Sequence, residues 1–103
     1  MTIHFTPKLP SIKCPIIIIG AGGIVRDSHL PAYKKAGFEV QGIFDLNQDA
    51  AKKIADDFDI SQVYQSLDEA IADASEDTVW DMALPASVIA TVLQQLFDGI
   101  HLL

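Results

Sequence analysis

The sequence is poor in cysteine, with Cys14 alone, and in positive charge, with seven basic against fourteen acidic residues among 103. A single cysteine excludes an internal disulfide, and Met1 to Pro10 lack the basic start and apolar centre of a signal peptide, so a cytoplasmic protein is expected. The formal net charge of −7 gives no general attraction for a nucleic-acid backbone or an anionic membrane, so neither is expected as a partner. The acidic side chains are spread over Asp45 to Asp81, as solvated helix faces are, and form no block. Long apolar runs are absent too. Ile16 to Ile19 has the length of a strand, far short of the ~20 residues that cross a bilayer.

Several catalytic signatures are also missing. His4, His29 and His101 are scattered, and no cysteine or carboxylate spacing completes a metal motif around them. Ser28 and Ser87 lack the Gly-x-Ser-x-Gly elbow of a hydrolase, and no Gly-Lys-Ser/Thr follows the glycines at Gly20 to Gly23. Cys14 has no histidine or cationic pair beside it to lower its pKa and reads as a small thiol at a strand start.

What is present is ordinary globular composition, half apolar and one fifth charged, in a chain of one-domain length. Residues 1–13, with Pro7 and Pro10 and no period, read as an N-terminal arm, and residues 14–103 as the folded domain. Along that domain β-rich runs alternate with helical patterns. Strands are predicted at Ile16–Ile19, Phe38–Asp45, Val63–Tyr64 and Val79–Leu84, with a further strand opening at Ile100–Leu103. Helices are predicted at Gly22–Ala36, kinked near His29 by Pro31 and ended by Gly37; after Asp45, with Ala51, Ile54, Ala55 and Phe58 on one stripe; after Ser66, with Glu69 completing a capping box; and at Pro85 to about Asp98, ended by Gly99. Val88, Ile89, Val92, Leu93 and Leu96 are expected to face the sheet, and Trp80 and Met82 to lie in the core. The pattern is that of a doubly wound parallel α/β sheet of three layers, Rossmann-like and cut short at its end.

A strand apolar at every position is buried on both faces, which makes Ile16–Ile19 a central strand. Ligands reach such a sheet at the carboxyl edge of its strands, where Gly20 stands. Gly20 suits the tight turn, and Gly22 lets the backbone approach a pyrophosphate held at the helix N-terminus. The third small residue of the G-x-G-x-x-G/A fingerprint is replaced by Val25, for which Gly23 offers partial compensation. Asp45, at the end of the next strand, is placed to accept hydrogen bonds from the adenosine ribose and to repel a 2′-phosphate. NAD is therefore expected before NADP. Asp45 or Asn47 also suits the cap of the helix beginning near Gln48, and neither Leu46 nor Asn47 supplies an arginine for that phosphate.

The stretches "IIIGAGGIVRDSHLPAYKKAGFEVQGIFDLNQDAAKKIADDF", "YQSLDEAIAD" and "VWDMALPASVIATVLQQLFDGIHLL" together resemble the nucleotide-binding domain of the Gfo/Idh/MocA oxidoreductases over about residues 15–103. The resemblance implies an enzyme that passes a hydride between a nicotinamide cofactor and a sugar, cyclitol or related polyol. It implies that Gly20, Ala21, Gly22, Gly23, Ile24 and Val25 line the pyrophosphate, that Asp45, Leu46 and Asn47 hold the adenosine, and that Leu84 and Pro85 lie beneath the cofactor. Two departures stand out. After the fourth strand this chain has Leu84, Pro85, Ala86 and then Ile89 where the family often reads Thr-Pro-Asn-x-x-His, and it ends at Leu103 before the family's Glu/Gln-Lys-Pro motif and substrate domain. No catalytic residue is therefore assigned. The isolated chain is expected to be an inactive fragment, with substrate handled only in a longer parent and with its C-terminal edge either open to self-association or covered by the N-terminal arm. The competing readings are a non-catalytic dinucleotide-binding or sensor module and, less favoured because no acidic residue precedes Gly20, a fragment of an S-adenosylmethionine-dependent methyltransferase.

Overall fold

The computed structural model describes residues 2–5 and 14–101. In chain order the elements are β1 (Thr2–Phe5), β2 (Ile16–Ile19), a π-helical turn (Val25–His29) running into α1 (Leu30–Ala36), β3 (Val40–Phe44), α2 (Gln48–Phe58), β4 (Gln62–Tyr64), α3 (Leu67–Asp73), β5 (Val79–Ala83) and α4 (Ala86–His101). The sheet order is β1-β5-β2-β3-β4, with β5, β2, β3 and β4 parallel and β1 antiparallel on the outer side of β5. This is a Rossmann-like α/β fold whose parallel strands follow the doubly wound order about the central β2.

The isoleucine run explains the centre of the sheet. Ile16 and Ile18 pack with Val25, Leu30, Ile43 and Ile54 on one face, while Ile17 and Ile19 pack with Trp80, Met82, Leu67 and Leu96 on the other. Each isoleucine is buried, so β2 has a helix layer on both sides. The π-turn, α1 and α2 supply one layer, and α3 and α4 supply the other.

Local signals account for most element ends. Gly37 closes α1 in the left-handed conformation, at φ 77°. Asn47 accepts the Ala50 N–H to cap α2, and Ser66 accepts the Glu69 N–H to cap α3. Pro31 lacks an N–H and crowds the preceding turn. The helix ahead of it widens into a π-turn, closed by the Leu30 N–H on the Val25 carbonyl, where a kink was expected.

Four expectations need correction. Thr2–Phe5 is a strand, so the first residues are more than a patternless arm; residue 1 and residues 6–13 lie outside the described ones. Ile100 and His101 continue α4 instead of opening a strand, and Gly99 does not stop that helix; residues 102–103 lie outside the described ones. The sheet edge at which a further strand would pair is already filled by β1. Val88, in the first turn of α4, is exposed, whereas Ile89 and Leu96 are buried and Val92 and Leu93 pack against the cluster that holds Leu96. Among the described residues no helix is long and apolar enough to cross a membrane.

Candidate functional site

At the carboxyl edge of the sheet, the chain leaves β2 at Gly20, whose N–H bonds the Phe44 carbonyl of β3 at 2.8 Å. Gly20 has φ 118°, and a Cβ there would run into the carbonyl of Ala83 at the end of β5. The turn therefore fits into the gap between β3 and β5 only as glycine. Beyond it, Gly22 opens the helical segment, and its carbonyl accepts the Val25 N–H at 3.1 Å.

Gly22 differs from Gly20 in kind. A Cβ on Gly22 would meet nothing within 4 Å, and one on Gly23 would meet only the tip of the Asp27 side chain at 3.9 Å. Packing demands neither glycine. Both are exposed, as is Ile24, whose side chain remains 55 % accessible although it is large and apolar. The first N–H groups of a helix have no intrahelical acceptors, so this rim offers donors to an anion without side-chain obstruction.

Asp45 binds the two halves of the rim together. Its Oδ2 accepts the Ala21 N–H at 2.7 Å and its Oδ1 accepts the Asn47 N–H at 2.7 Å. A carboxylate has about four lone-pair positions, so each oxygen keeps a further acceptor site. Gln48 fixes the floor below by donating to the Asp45 and Tyr64 carbonyls at 2.9 and 3.1 Å. Leu46 stands 89 % exposed beside Asp45.

The structure thus brings Gly20, Ala21, Gly22, Gly23 and Ile24 to one side of the cleft mouth and Asp45, Leu46 and Asn47 to the other, joined by the Asp45 carboxylate. Leu84 and Pro85 follow β5 next to Gly20; Leu84 packs into the core layer beneath, and the Pro85 carbonyl caps α4 by accepting the Val88 and Ile89 N–H groups. Val25 is fully buried against the sheet, so its side chain faces the core and not the rim. Asn47 serves as the cap of α2, and Asp45 organises the loops around it.

Sequence reading passed over one cluster. Asp81, in the middle of β5 and 0 % exposed, lies 2.9 Å from Nδ1 of His29 and accepts the Tyr33 hydroxyl at 2.5 Å. Burial, with the hydrogen bond to Asp81 and its negative charge adding to it, pushes the Tyr33 phenol well above its ordinary pKa. The signal was a carboxylate inside an otherwise apolar strand, which must find partners when buried.

Residues 14–98 match the family described as "Oxidoreductase family, NAD-binding Rossmann fold". No curated protein matches the chain. Among solved structures, an oxidoreductase from Thermotoga maritima aligns with a TM-score of 0.76 at 23% identity, covering 85% of this chain and 28% of that one. A UDP-N-acetylglucosamine 3-dehydrogenase from Acidithiobacillus ferrooxidans aligns with a TM-score of 0.66 at 23% identity, covering 85% of this chain and 27% of that one. A 3-ketoreductase from Actinomadura kijaniata, solved with TDP-benzene and NADP, aligns with a TM-score of 0.66 at 21% identity, covering 85% of this chain and 27% of that one. The chain spans less than a third of the length of each, and at these identities the likeness shows a shared fold.

Proposed function

Because the chain belongs to the Gfo/Idh/MocA family of oxidoreductases, through the NAD-binding Rossmann domain that its residues 14–98 match, we propose that it is the dinucleotide-binding domain of an enzyme acting on a sugar, cyclitol or related polyol. The observation that carries the binding site is the contrast between the glycines. Gly20 is required by the fold, whereas a Cβ on Gly22 would meet no atom of the described residues within 4 Å. An approaching pyrophosphate supplies a demand for glycine there.

In this reading the N–H groups of Gly22, Gly23 and Ile24 hold the pyrophosphate, and the open acceptor positions of Asp45 take the adenosine ribose hydroxyls. Leu46 and Ile24 cover apolar ring surface, and Leu84 with Pro85 forms the floor. When bound, the nicotinamide would supply hydride transfer. The chain's own part is to orient that ring and to keep the ribose end fixed. Asp45 favours NAD over NADP, because a 2′-phosphate would stand against its carboxylate. Neither Leu46 nor Asn47 offsets this, and Lys53 is engaged with Asp57 at 3.6 Å. The sugar-nucleotide dehydrogenase and ketoreductase neighbours support the polyol class. We assign no acid–base group to residues 14–103, so the chain by itself binds without turning over. Its lone Cys14 supports a cytoplasmic setting.

A second reading, a non-catalytic binding module, is favoured by one observation: β1 fills the β5 edge at which a doubly wound sheet would continue. Calorimetric titration with NADH and NADPH tests the site shared by both readings. Saturable binding with NADH preferred is the expected result. Binding of neither nucleotide by a chain that circular dichroism shows to be folded would overturn it. Oxidation of polyols with NAD by the purified chain would refute the absence of turnover.

A further inference from the structure

Asp45 stands one residue past the end of β3 and beyond the last β3–β4 register pair, Phe44 with Tyr64. A ladder that stops leaves the carbonyls beyond it to be bonded by other groups. Here the amide of Gln48 takes both sides. Its Nε2 donates to the Asp45 carbonyl at 2.9 Å and to the Tyr64 carbonyl at 3.1 Å, which uses both N–H donors of the group. Each end of this bridge is held in place. Gln48 is the first residue of α2, a helix seated on the sheet by buried Ala51, Ile54 and Ala55, and Tyr64 is buried with its hydroxyl donating to Asp73 at 2.6 Å. The Asp side chain is short, so the placement of its carboxylate follows the backbone that Gln48 holds. That carboxylate accepts the Ala21 and Asn47 N–H groups, both at 2.7 Å.

We propose that Gln48 is a positioning residue for nucleotide selectivity: by bonding the Asp45 carbonyl to the end of β4, it holds the Asp45 carboxylate where it accepts a ribose 2′-hydroxyl and stands against a 2′-phosphate. The inference rests on the dinucleotide reading above and adds to it a residue that acts through another side chain. A fixed acceptor discriminates more sharply than a mobile one, because a loose carboxylate both loses its bond to the hydroxyl and turns away from the phosphate. Removing the bridge therefore acts in opposite directions on the two nucleotides. NADH loses a bond and NADPH escapes a repulsion. A residue that only stabilised the fold would move both affinities together. The position also constrains the side chain: Asn falls a methylene short of the two carbonyls, and Met spans the distance without a donor.

The test is calorimetric titration of the full chain with NADH and with NADPH, for the wild type, Gln48→Met and Gln48→Asn. In both variants the preference for NADH is expected to fall about fivefold or more, with NADH bound more weakly and NADPH unchanged or tighter. In an Asp45→Asn background, where the carboxylate is gone, Gln48→Met should leave the remaining ratio within about twofold. Amide exchange supplies a readout without nucleotide: the Ala21 and Asn47 N–H groups should exchange about fivefold faster or more in Gln48→Met, while those of Ile17 and Ile18 in β2 keep their protection. A preference retained by the folded variants, equal weakening of both nucleotides, a further fall of the ratio in the Asp45→Asn background, or unchanged exchange at Ala21 and Asn47 would each overturn the proposal. Unfolding of the chain by both variants would make Gln48 a stability residue and overturn it as well. The reading of the site fails separately. A wild-type chain that binds neither nucleotide, or both alike, sinks that reading and the inference with it, whereas a wild-type preference for NADH that survives Gln48→Met sinks the positioning role alone.

Discussion

Tyr33 donates its hydroxyl proton to Oδ2 of Asp81 at 2.5 Å, tying α1 to the middle of β5 across 48 residues of sequence. His29, at the end of the π-turn, reaches the same oxygen at 2.9 Å. A carboxylate with no exposed surface is costly unless hydrogen-bonded, and the Tyr33 hydroxyl supplies such a bond with His29 close beside it. The helix so anchored is the one that the glycine-rich turn after β2 runs into, so a core interaction helps fix the geometry of that turn.

Replacing Tyr33 with Phe keeps the ring and removes the donor. Hydrogen bonds to charged groups contribute roughly 1.5–3 kcal/mol, and a loss of that size is expected in urea unfolding. In an Asp81→Asn background the same replacement should cost less, because the acceptor is then neutral. Equal losses in the two backgrounds would show that Tyr33 acts through packing alone.

The two glycines of the turn should separate stability from binding. Gly20→Ala meets the Ala83 carbonyl at a φ of 118° and is expected to lose about 2–4 kcal/mol of stability. Gly22→Ala has open space and should change stability by less than about 1 kcal/mol, while weakening NADH binding tenfold or more, about 1.4 kcal/mol. Thermal unfolding and calorimetry on both variants check the pair. Undiminished NADH binding by Gly22→Ala would remove the case for a pyrophosphate at this rim.

Much of the fold was legible because its signals are local. Four isoleucines announce a strand buried on both faces, Ser66 and Asn47 announce caps, and Gly20 announces the tight turn at the end of that strand. The features that escaped depend on distant partners. Thr2–Phe5 has no pattern of its own and becomes a strand only against β5. Ile100 looked like a strand start because it is apolar and follows Gly99, yet β1 is paired along the outer side of β5 and the helix runs on to His101. Asp81 was read among the solvated acidic residues and is instead buried in β5, because its partners lie in the π-turn and α1, 48 residues or more earlier in the chain. Asp45 was read for the ribose it could hold; the bonds the structure gives it, from the Ala21 and Asn47 N–H groups, follow only from how closely β2 and β3 approach.

Gly42 answers to a side chain, not to a turn. A Cβ there would lie 2.6 Å from Cζ of the Tyr64 ring. The ring cannot swing aside freely, being buried and pinned by its hydroxyl, which donates to Asp73 at 2.6 Å. Gly42→Ala is expected to cost about 1–3 kcal/mol by overpacking. Combining it with Tyr64→Leu, which removes the offending atoms, should make the additional cost of the alanine small. A double-mutant cycle by chemical denaturation measures the coupling, and additive losses would place the strain elsewhere.

Alkaline pH should destabilise the fold through Tyr33 and Tyr64. Burial, then the hydrogen bond and negative charge of Asp81 or Asp73, raises both phenols above their ordinary value near 10. The sign follows from proton counts. Below about pH 10 both states keep the phenolic protons and stability is unaffected by them. Above it the unfolded chain releases protons that the folded chain retains, so the free energy of unfolding falls with pH. Each phenol that stays protonated contributes a slope of up to about 1.4 kcal/mol per pH unit, less where water screens it. The slope between pH 10 and 11.5, from urea unfolding, should diminish when Tyr33 or Tyr64 is replaced by Phe, and most when both are. A wild-type slope of zero, or one that both replacements leave intact, would mean that these phenols ionise in the folded protein as they do in water.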